Sequence, residues 1–260
     1  MFSASVVAFV AFVFAEKYAK LPVAPLNLFV QWKWRNVPIM LVTRCLLFFH
    51  LFATTFYLPL FLQVNGVSEI NSGAHVIPFL SMAALSSAAV AHATSKYGYI
   101  NHAFVTGLVI LPVGLGLMTT LDETSSPGRI IGYSLICGLG FGPGTQISTV
   151  IPQAGLPEDV LPTVTALINT SASLGGVLGV GIIGSIVNNA FRKKLLHTLP
   201  SFTNANLNDV VKLVHDAPDL MTREVIVKAY VWAWRVGYWS LAGIAVLQFF
   251  MSLFLKPVDL

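Results

Sequence analysis

Apolar residues along this chain gather into long runs that short polar breaks separate. Six runs are long enough to cross a bilayer, and they cover residues 37–64, 73–93, 103–121, 130–151, 164–187 and 236–255. A helix needs about 20 apolar residues, at 1.5 Å each, to cross a hydrocarbon core of roughly 30 Å. The breaks hold turn formers such as Asn65-Gly66 and Tyr97-Gly98-Tyr99. The pattern predicts an all-α membrane protein with these six runs as transmembrane helices.

The ends of the chain and its longest connector complete the predicted organisation. Residues 1–36 combine a short apolar run, 2–15, with a polar connector. We interpret the run as part of a transmembrane span; the alternative, a signal peptide, lacks a preceding Lys or Arg. Residues 37–191 carry five of the predicted transmembrane helices, 192–235 form a long polar loop, and 236–260 hold the last helix and a short tail.

Within the long loop, apolar residues recur at helical spacing. They are Leu207, Val210, Val211 and Val214, with polar residues between them. Such spacing predicts a short amphipathic helix lying on the membrane or on the bundle. Pro218 should end it, because proline cannot supply the next backbone N–H.

Composition excludes several classes of protein. Of 260 residues, 55% are hydrophobic and 10% are charged, whereas soluble domains carry roughly 25% charged residues. The net charge of +4 comes from Lys and Arg between apolar runs rather than from one basic stripe, so nucleic-acid binding is not expected. Cys45 and Cys137 lie inside apolar runs, where a disulfide framework is not expected. No spacing of His, Cys and acidic residues indicates a catalytic triad or a metal site, so we expect no enzyme.

Basic residues in the short connectors predict which ends face the cytoplasm. One side collects six of them, Lys17, Lys20, Lys33, Arg35, Lys96 and Lys256, against Arg129 on the other. By the positive-inside rule, the first side is cytoplasmic. The connector before residue 37 and the C-terminal tail lie on this side. The cluster Arg192-Lys193-Lys194 opposes this assignment, but long loops cross membranes largely regardless of charge.

A stripe of small and polar residues runs along the helix predicted for 130–151 and just beyond it. Its members lie at steps of three or four and share one helical face: Gly138, Gly142, Gln146, Thr149 and Gln153. One interpretation makes this face a cavity wall whose Gln146, Thr149 and Gln153 bind substrate. The other makes it a small-residue seam where two helices approach closely, with the amides bonded across it.

Two further helices carry polar positions inside apolar runs. Thr165, Asn169 and Ser173 form a second stripe, followed by the small residues Gly175 and Gly176. On the first helix the candidate cavity residues are His50, Thr54 and Tyr57, with Pro59 as a candidate gating kink. His50 could carry a proton or, as a neutral ring, bond to a neighbouring helix. Arg44 is expected to extend to the interface or pair with a lipid phosphate.

Several motifs resemble, in order and spacing, a known family over roughly residues 20–195. They include Tyr57-Leu58-Pro59-Leu60-Phe61-Leu62-Gln63, Ser95-Lys96-Tyr97-Gly98-Tyr99, Gly138-Leu139-Gly140-Phe141-Gly142, Gln153-Ala154-Gly155-Leu156-Pro157, Ser173-Leu174-Gly175-Gly176 and Gly184-Ser185-Ile186-Val187-Asn188-Asn189. This series resembles the C-terminal half of the fourteen-span drug:proton antiporters of the major facilitator superfamily. The sequence departs from the family at Val164, where glycine is common. Gly142-Pro143 is similar to the antiporter glycine-proline signature but lies on a different helix from the one that carries this signature in the family. We therefore interpret Gly142-Pro143 as a local bend.

The resemblance implies a fold, a function and partners. The fold would be the C-terminal six-helix bundle, preceded by part of another span. The function would be export of a small lipophilic drug, toxin or secondary metabolite by proton antiport and alternating access, as in fungal efflux pumps, with the proton gradient as energy source and no cofactor. The partners would be the bilayer, the substrate and an N-terminal six-span half that we expect to be missing from a truncated chain. The membrane would be the plasma membrane or the vacuolar membrane. The alternative is an inactive remnant or scaffold that binds other membrane proteins without transport.

Overall fold

The computed structural model of this protein describes Gln31, residues 34–200 and residues 209–256. These residues form eight α-helices and no β-strand within the ranges given. The helices are α1 (Asn36–Val64), α2 (Glu69–Ala74), α3 (Ile77–Tyr97), α4 (Ile100–Met118), α5 (Pro127–Val150), α6 (Leu161–Thr198), α7 (Val210–His215) and α8 (Leu220–Ser252). A 3-10 turn, Ile151–Gln153, follows α5 directly.

Helix ends lie where the sequence supplies their usual signals. Gly98 ends α3 with φ +72°, a left-handed conformation that favours glycine, and its N–H donates to the carbonyl of Thr94. Proline occupies the first turn of α3, α5 and α6. Backbone N–H groups in that turn have no partner within the helix, so the missing N–H of proline costs no hydrogen bond. Asp219 caps α8 by accepting a hydrogen bond from the N–H of Thr222 (3.0 Å).

The long helices form two layers. The front layer is the row α3, α5, α1 and α6, in which α3 packs on α5, α5 on α1, and α1 on α6. The back layer is α4 and α8, which pack on each other, with α4 behind α5 and α8 behind α6 and α1. The front layer therefore has one face covered by the back layer and one face that no described helix covers.

Glycines set the closest approaches within the front layer. A Cβ added at Gly175 or Gly179 of α6 would overlap the backbone carbonyls of Cys45 or Phe49 on α1. A Cβ at Gly142 of α5 would overlap Ser86 of α3. Lipid gives helices no hydrophobic reason to associate, so close backbone contact at small residues supplies much of their attraction.

Four segments are long and apolar enough to cross a membrane by length and composition. They are α1, the stretch Glu69–Tyr97 that contains α2 and α3, α4, and α6. Helices α5 and α8 fall outside that set, because α5 is rich in Gly, Ser and Thr and the apolar part of α8 includes Arg235, Trp, Tyr, Ser and Gln. The prediction of an all-α membrane protein is confirmed, while the spans 130–151 and 236–255 stay predictions.

Element bounds differ from the predicted ones around the long connector. The predicted loop, 192–235, is largely helical, since α6 continues to Thr198 and α8 starts at Leu220. Charged residues end the apolar pattern at these positions, although the helix backbone continues through them. The short helix α7 matches the predicted amphipathic segment at Val210 and Val214, which are both buried. Leu207, the run 2–15 and nearly all of the first connector lie outside the described residues.

Candidate functional site

Three front-layer helices bring polar side chains together between the middle of the bundle and the end at which α1 begins. On α1, Arg44 donates from Nη1 to the carbonyl oxygen of Thr145 (2.7 Å) and to Oγ of Ser148 (3.3 Å), both on α5. On α3, Oγ of Ser87 donates to Oε1 of Gln146 (3.4 Å). We name this cluster the polar patch, and its members are Arg44, Ser87, Thr145, Gln146, Ser148 and Thr149.

A bilayer centred on the middle of α1 would place the patch at the depth of the lipid tails. Arg44 is six residues from His50 at the centre of α1, which is about 9 Å along the helix, well inside a half-thickness of roughly 15 Å. Arg44, Ser87, Gln146 and Thr149 are partly exposed rather than buried. Polar groups at such depth normally face a bundle interior or a water-filled cavity. We therefore expect water or protein, rather than hydrocarbon, against the uncovered face of the front layer at this level.

Arg44 differs from its sequence interpretation. We expected it to extend to the interface or reach a lipid phosphate, but it bonds across to α5 and lies over the ring of Phe48, 4.7 Å from the centroid. Sequence periodicity shows which face of α1 the residue occupies, not which helix meets that face. The available signal for Arg44 in the sequence was a charged residue inside a long apolar run.

The stripe on α5 divides between the two interpretations. Gly138 and Gly142 are buried against α3, where Oγ of Ser86 donates to the carbonyl of Gly138 (3.2 Å). Their half of the stripe is a packing seam. Gln146 and Thr149 belong to the partly exposed polar patch, and Thr149 donates to the carbonyl of its own helix at Thr145 (3.3 Å).

Three of the remaining small-residue and proline positions, Pro143, Gly175 and Gly176, also pack between helices. Pro143 is buried against Gly107 of α4. Gly175 meets the α1 backbone and Gly176 meets the ring of Phe52. Pro59 lies inside α1, which continues through it as far as Val64. A gating role for these residues stays a prediction.

The candidate residues of α1 face other helices. His50 and Thr54 are each 1% exposed, and Nε2 of His50 lies 3.1 Å from the carbonyl of Leu241 on α8. Tyr57 donates from its hydroxyl to the carbonyl of Val180 on α6 (2.9 Å). All three lie in contacts between helices in this structure, and the geometry matches the interpretation of His50 as a hydrogen-bonded ring in the bundle.

The candidate residues at the start of α6 are exposed. Nε2 of Gln153, in the 3-10 turn, donates to Oγ1 of Thr165 (3.0 Å), which joins the end of α5 to the start of α6. Ser173 donates to the carbonyl of Asn169 one turn earlier (3.1 Å). Exposed positions then repeat every four residues along this face, and they are Thr165, Asn169, Ser173, Val177, Gly181, Ser185 and Asn189. Hydroxyls bonded to their own helix can face an apolar medium, but exposed amides favour water or another protein.

The opposite end of the bundle holds a separate cavity of about 450 Å³. Asn65, Asn71, His75, Asp122 and Glu123 contribute to its lining. Hydrogen bonds from Ser125 and then Thr124 hold the pKa of Asp122 below its usual value, so this carboxylate stays ionised. Its oxygen Oδ1 is already bonded by the turn that contains it, and no cluster of three His, Cys, Asp or Glu side chains suited to a metal ion occurs in the described parts of the chain.

Comparisons with known proteins agree on one family. The family model of the Major Facilitator Superfamily matches residues 1–180. The chain is 30% identical over 189 residues to the MFS-type transporter pigP of Monascus ruber, covering 66% of this chain and 33% of that relative. It is 32% identical over 149 residues to the efflux pump roqT of Penicillium rubens, covering 57% and 27%. It is 28% identical over 202 residues to the MFS acetylaranotin efflux transporter ataA of Aspergillus terreus, covering 75% and 45%.

These three relatives are fungal, and two are named for efflux. The chain spans about a third of the length of the first of them.

Proposed function

This chain belongs to the Major Facilitator Superfamily, and we propose that it moves small lipophilic molecules, such as secondary metabolites or drugs, outward across a membrane. It is a multi-pass membrane protein of a transporter family rather than an enzyme. We propose proton antiport as the energy source, without a cofactor. We place the protein in the plasma membrane, with the vacuolar membrane as the alternative.

The observation that carries this proposal is the polar patch on the uncovered face of the front layer. A transporter needs polar groups at membrane depth, bordered by apolar surface, so that a substrate finds partners there while the outside of the bundle stays in lipid. The patch offers a guanidinium, an amide and hydroxyls from α1, α3 and α5 at one level. Relatives named as efflux pumps support export as the direction.

Alternating access requires a second bundle to face the first. The polar positions of α6 and the patch would both be enclosed by such a bundle, supplied by the same polypeptide or by another. The sequences of α1, α3, α4, α5 and α6 contain no Asp or Glu. We therefore assign the acid that carries the proton to the facing bundle, and His50 to helix packing.

Efflux from cells tests the proposal directly. The chain is expressed in a yeast strain that lacks its major pumps, alone and together with the N-terminal six spans of a fungal relative. Retention of an anionic, a neutral and a cationic fluorescent dye is then followed. We expect faster loss of at least one dye in the co-expressing strain, and its abolition by a protonophore. Equal retention of every dye in all strains would instead support a scaffold that transports nothing.

Gln146→Ala should reduce this efflux several-fold while leaving insertion unchanged. The substitution removes an amide from the patch, and a hydrogen bond to substrate contributes about 1 kcal/mol, or roughly fivefold. Thr106→Ala is the matched control, because Thr106 is exposed on α4 and bonds only to its own helix. Efflux rates normalised to membrane-inserted protein give the measurement. Loss of insertion in the variant would move Gln146 from substrate binding to packing.

A further inference from the structure

The guanidinium of Arg44 is only partly used by the protein. One terminal nitrogen bonds to Thr145 and Ser148, while Nε is buried and makes no hydrogen bond within the described residues. The other terminal nitrogen has no partner in that part of the chain either. A guanidinium presents five N–H donors in a planar fork suited to two oxygens of one carboxylate. The N–H groups of this second terminal nitrogen therefore remain for a ligand, whereas the buried Nε lies out of a ligand's reach.

No acid of the surrounding helices balances this charge. The five helices α1, α3, α4, α5 and α6 contain no Asp or Glu, and Arg44 takes part in neither ion pair found in the described ranges. The other basic side chains of the long helices lie near helix ends, apart from Lys228 and Arg235, which are exposed on α8, where Lys228 pairs with Glu224. A positive charge at membrane depth attracts anions and repels cations. Because the dielectric constant there is low, these forces reach farther than in water.

Aromatic rings continue from Arg44 along the front layer. Phe48 lies under the guanidinium, and its centroid is 6.4 Å from that of Phe52 and 6.2 Å from that of Phe141. Phe52 is 38% exposed, so one of its surfaces is open to a planar molecule. Arg44 and Phe52 are eight residues apart on one helix, or about 12 Å, which a fused-ring compound with an acidic group can span.

We propose that the polar patch selects aromatic organic anions, with a carboxylate, phenolate or sulfonate on Arg44 and the rings against Phe48 and Phe52. This inference rests on the proposed function and names its substrate class. Charge fixes the order of preference as anion, then neutral molecule, then cation. Arg44 fixes the orientation, since the N–H groups of its second terminal nitrogen bond the acidic group while the rings lie against Phe48 and Phe52.

Binding to the full chain tests the selection without any transport step. The chain is purified in dodecyl maltoside, a detergent without phosphate, so that no lipid headgroup competes for Arg44. The probes share one ring system: 1-pyrenebutyrate, 1-pyrenebutanol and pyrenebutyl-trimethylammonium. Energy transfer from tryptophan to pyrene is titrated, and the signal of empty micelles is subtracted. The wild-type chain should bind the butyrate about tenfold more tightly than the ammonium probe, a difference of about 1.4 kcal/mol.

Variants separate charge at this site from charge elsewhere. Arg44→Gln should bring the three affinities within about twofold of one another, and Arg44→Lys should keep the order with a smaller ratio, because lysine is a point charge without the planar N–H donors of the guanidinium. Arg129→Gln removes a positive charge at the far end of α5 and should leave the ratio unchanged. Gel filtration of each variant checks that it is folded.

Each outcome bears on one of two claims. Equal affinities of the wild-type chain for all three probes, or a ratio that Arg44→Gln does not change, overturn the anion inference and leave the transport proposal intact. A complete lack of saturable binding by every probe counts against a substrate site on this face, and so against the proposed function itself.

Discussion

Replacing Gly175 with alanine is expected to destabilise the protein by about 3 kcal/mol, because the new methyl group meets backbone rather than a movable side chain. A Cβ at this position would overlap the carbonyl oxygen of Cys45 on α1, and its Cα and carbonyl carbon lie close behind. Helix α1 would have to move away from α6 along their whole contact. In a membrane bundle this separation loses dispersion attraction between the two helices, and contact with lipid tails does not fully replace it.

Thermal unfolding in detergent provides the measurement for Gly175→Ala. The reporter is Cys137, which is 1% exposed and reacts with a thiol-reactive dye when the bundle opens, read above the baseline from the partly exposed Cys45. We expect the transition to fall by roughly 5–10 °C. Arg44 precedes Cys45, so the shift of α1 should also reduce binding at the polar patch.

Gly181→Ala is the matched control on the same helix. Nothing lies within 4 Å of a Cβ at Gly181, and alanine is favoured over glycine inside a helix by up to about 1 kcal/mol. The control should therefore stabilise the protein slightly. If both variants lowered the transition equally, close contact between α1 and α6 would not be the cause.

The helices could be read from the sequence because their causes are local. Apolar length predicts a helix that crosses lipid, as for α1, and Gly98 or Pro127 marks where a helix ends or begins. Charged residues interrupt the apolar pattern inside a helix that itself continues. Helices α6 and α8 are therefore longer than predicted at the 192–235 connector. Spacing along one helix also predicted that Gly138, Gly142 and Gln146 share a face.

Pairing between helices is not local, and the candidate site could be predicted only in part. The spacing of the α5 stripe allowed two interpretations, a packing seam or a cavity wall. In the structure the stripe is a packing seam at Gly142 and part of the polar patch at Gln146. Whether the patch binds substrate stays a prediction. The spacing of His50 and Tyr57 gave no sign that α8 and α6 cover them. The bond from Arg44 to α5 depends on a partner a hundred residues away, for which one sequence offers no pattern.

Trp234 should be the most sensitive side chain of the back layer, and Trp234→Ala should cost about 4 kcal/mol. The indole is fully buried and stacks between Phe61 of α1, at 4.3 Å between centroids, and Tyr238 of α8, at 3.9 Å. Its Nε1 donates to the carbonyl of Met118 at the end of α4 (3.0 Å), where a helix leaves carbonyls without partners of its own. Alanine would remove both ring contacts and leave a cavity among α1, α4 and α8.

Two companion variants separate the contributions of Trp234. Trp234→Phe keeps a ring between Phe61 and Tyr238 but loses the N–H, so the loss should be about 1 kcal/mol. Trp239→Ala, five residues later on α8, removes a side chain that is 64% exposed and should change stability little. The same thiol-dye unfolding measurement ranks all three. A Trp239→Ala effect as large as that of Trp234→Ala would mean that α8 presents a different face to the bundle, and would contradict the contact of α8 with α1 and α4 on which the two-layer arrangement depends.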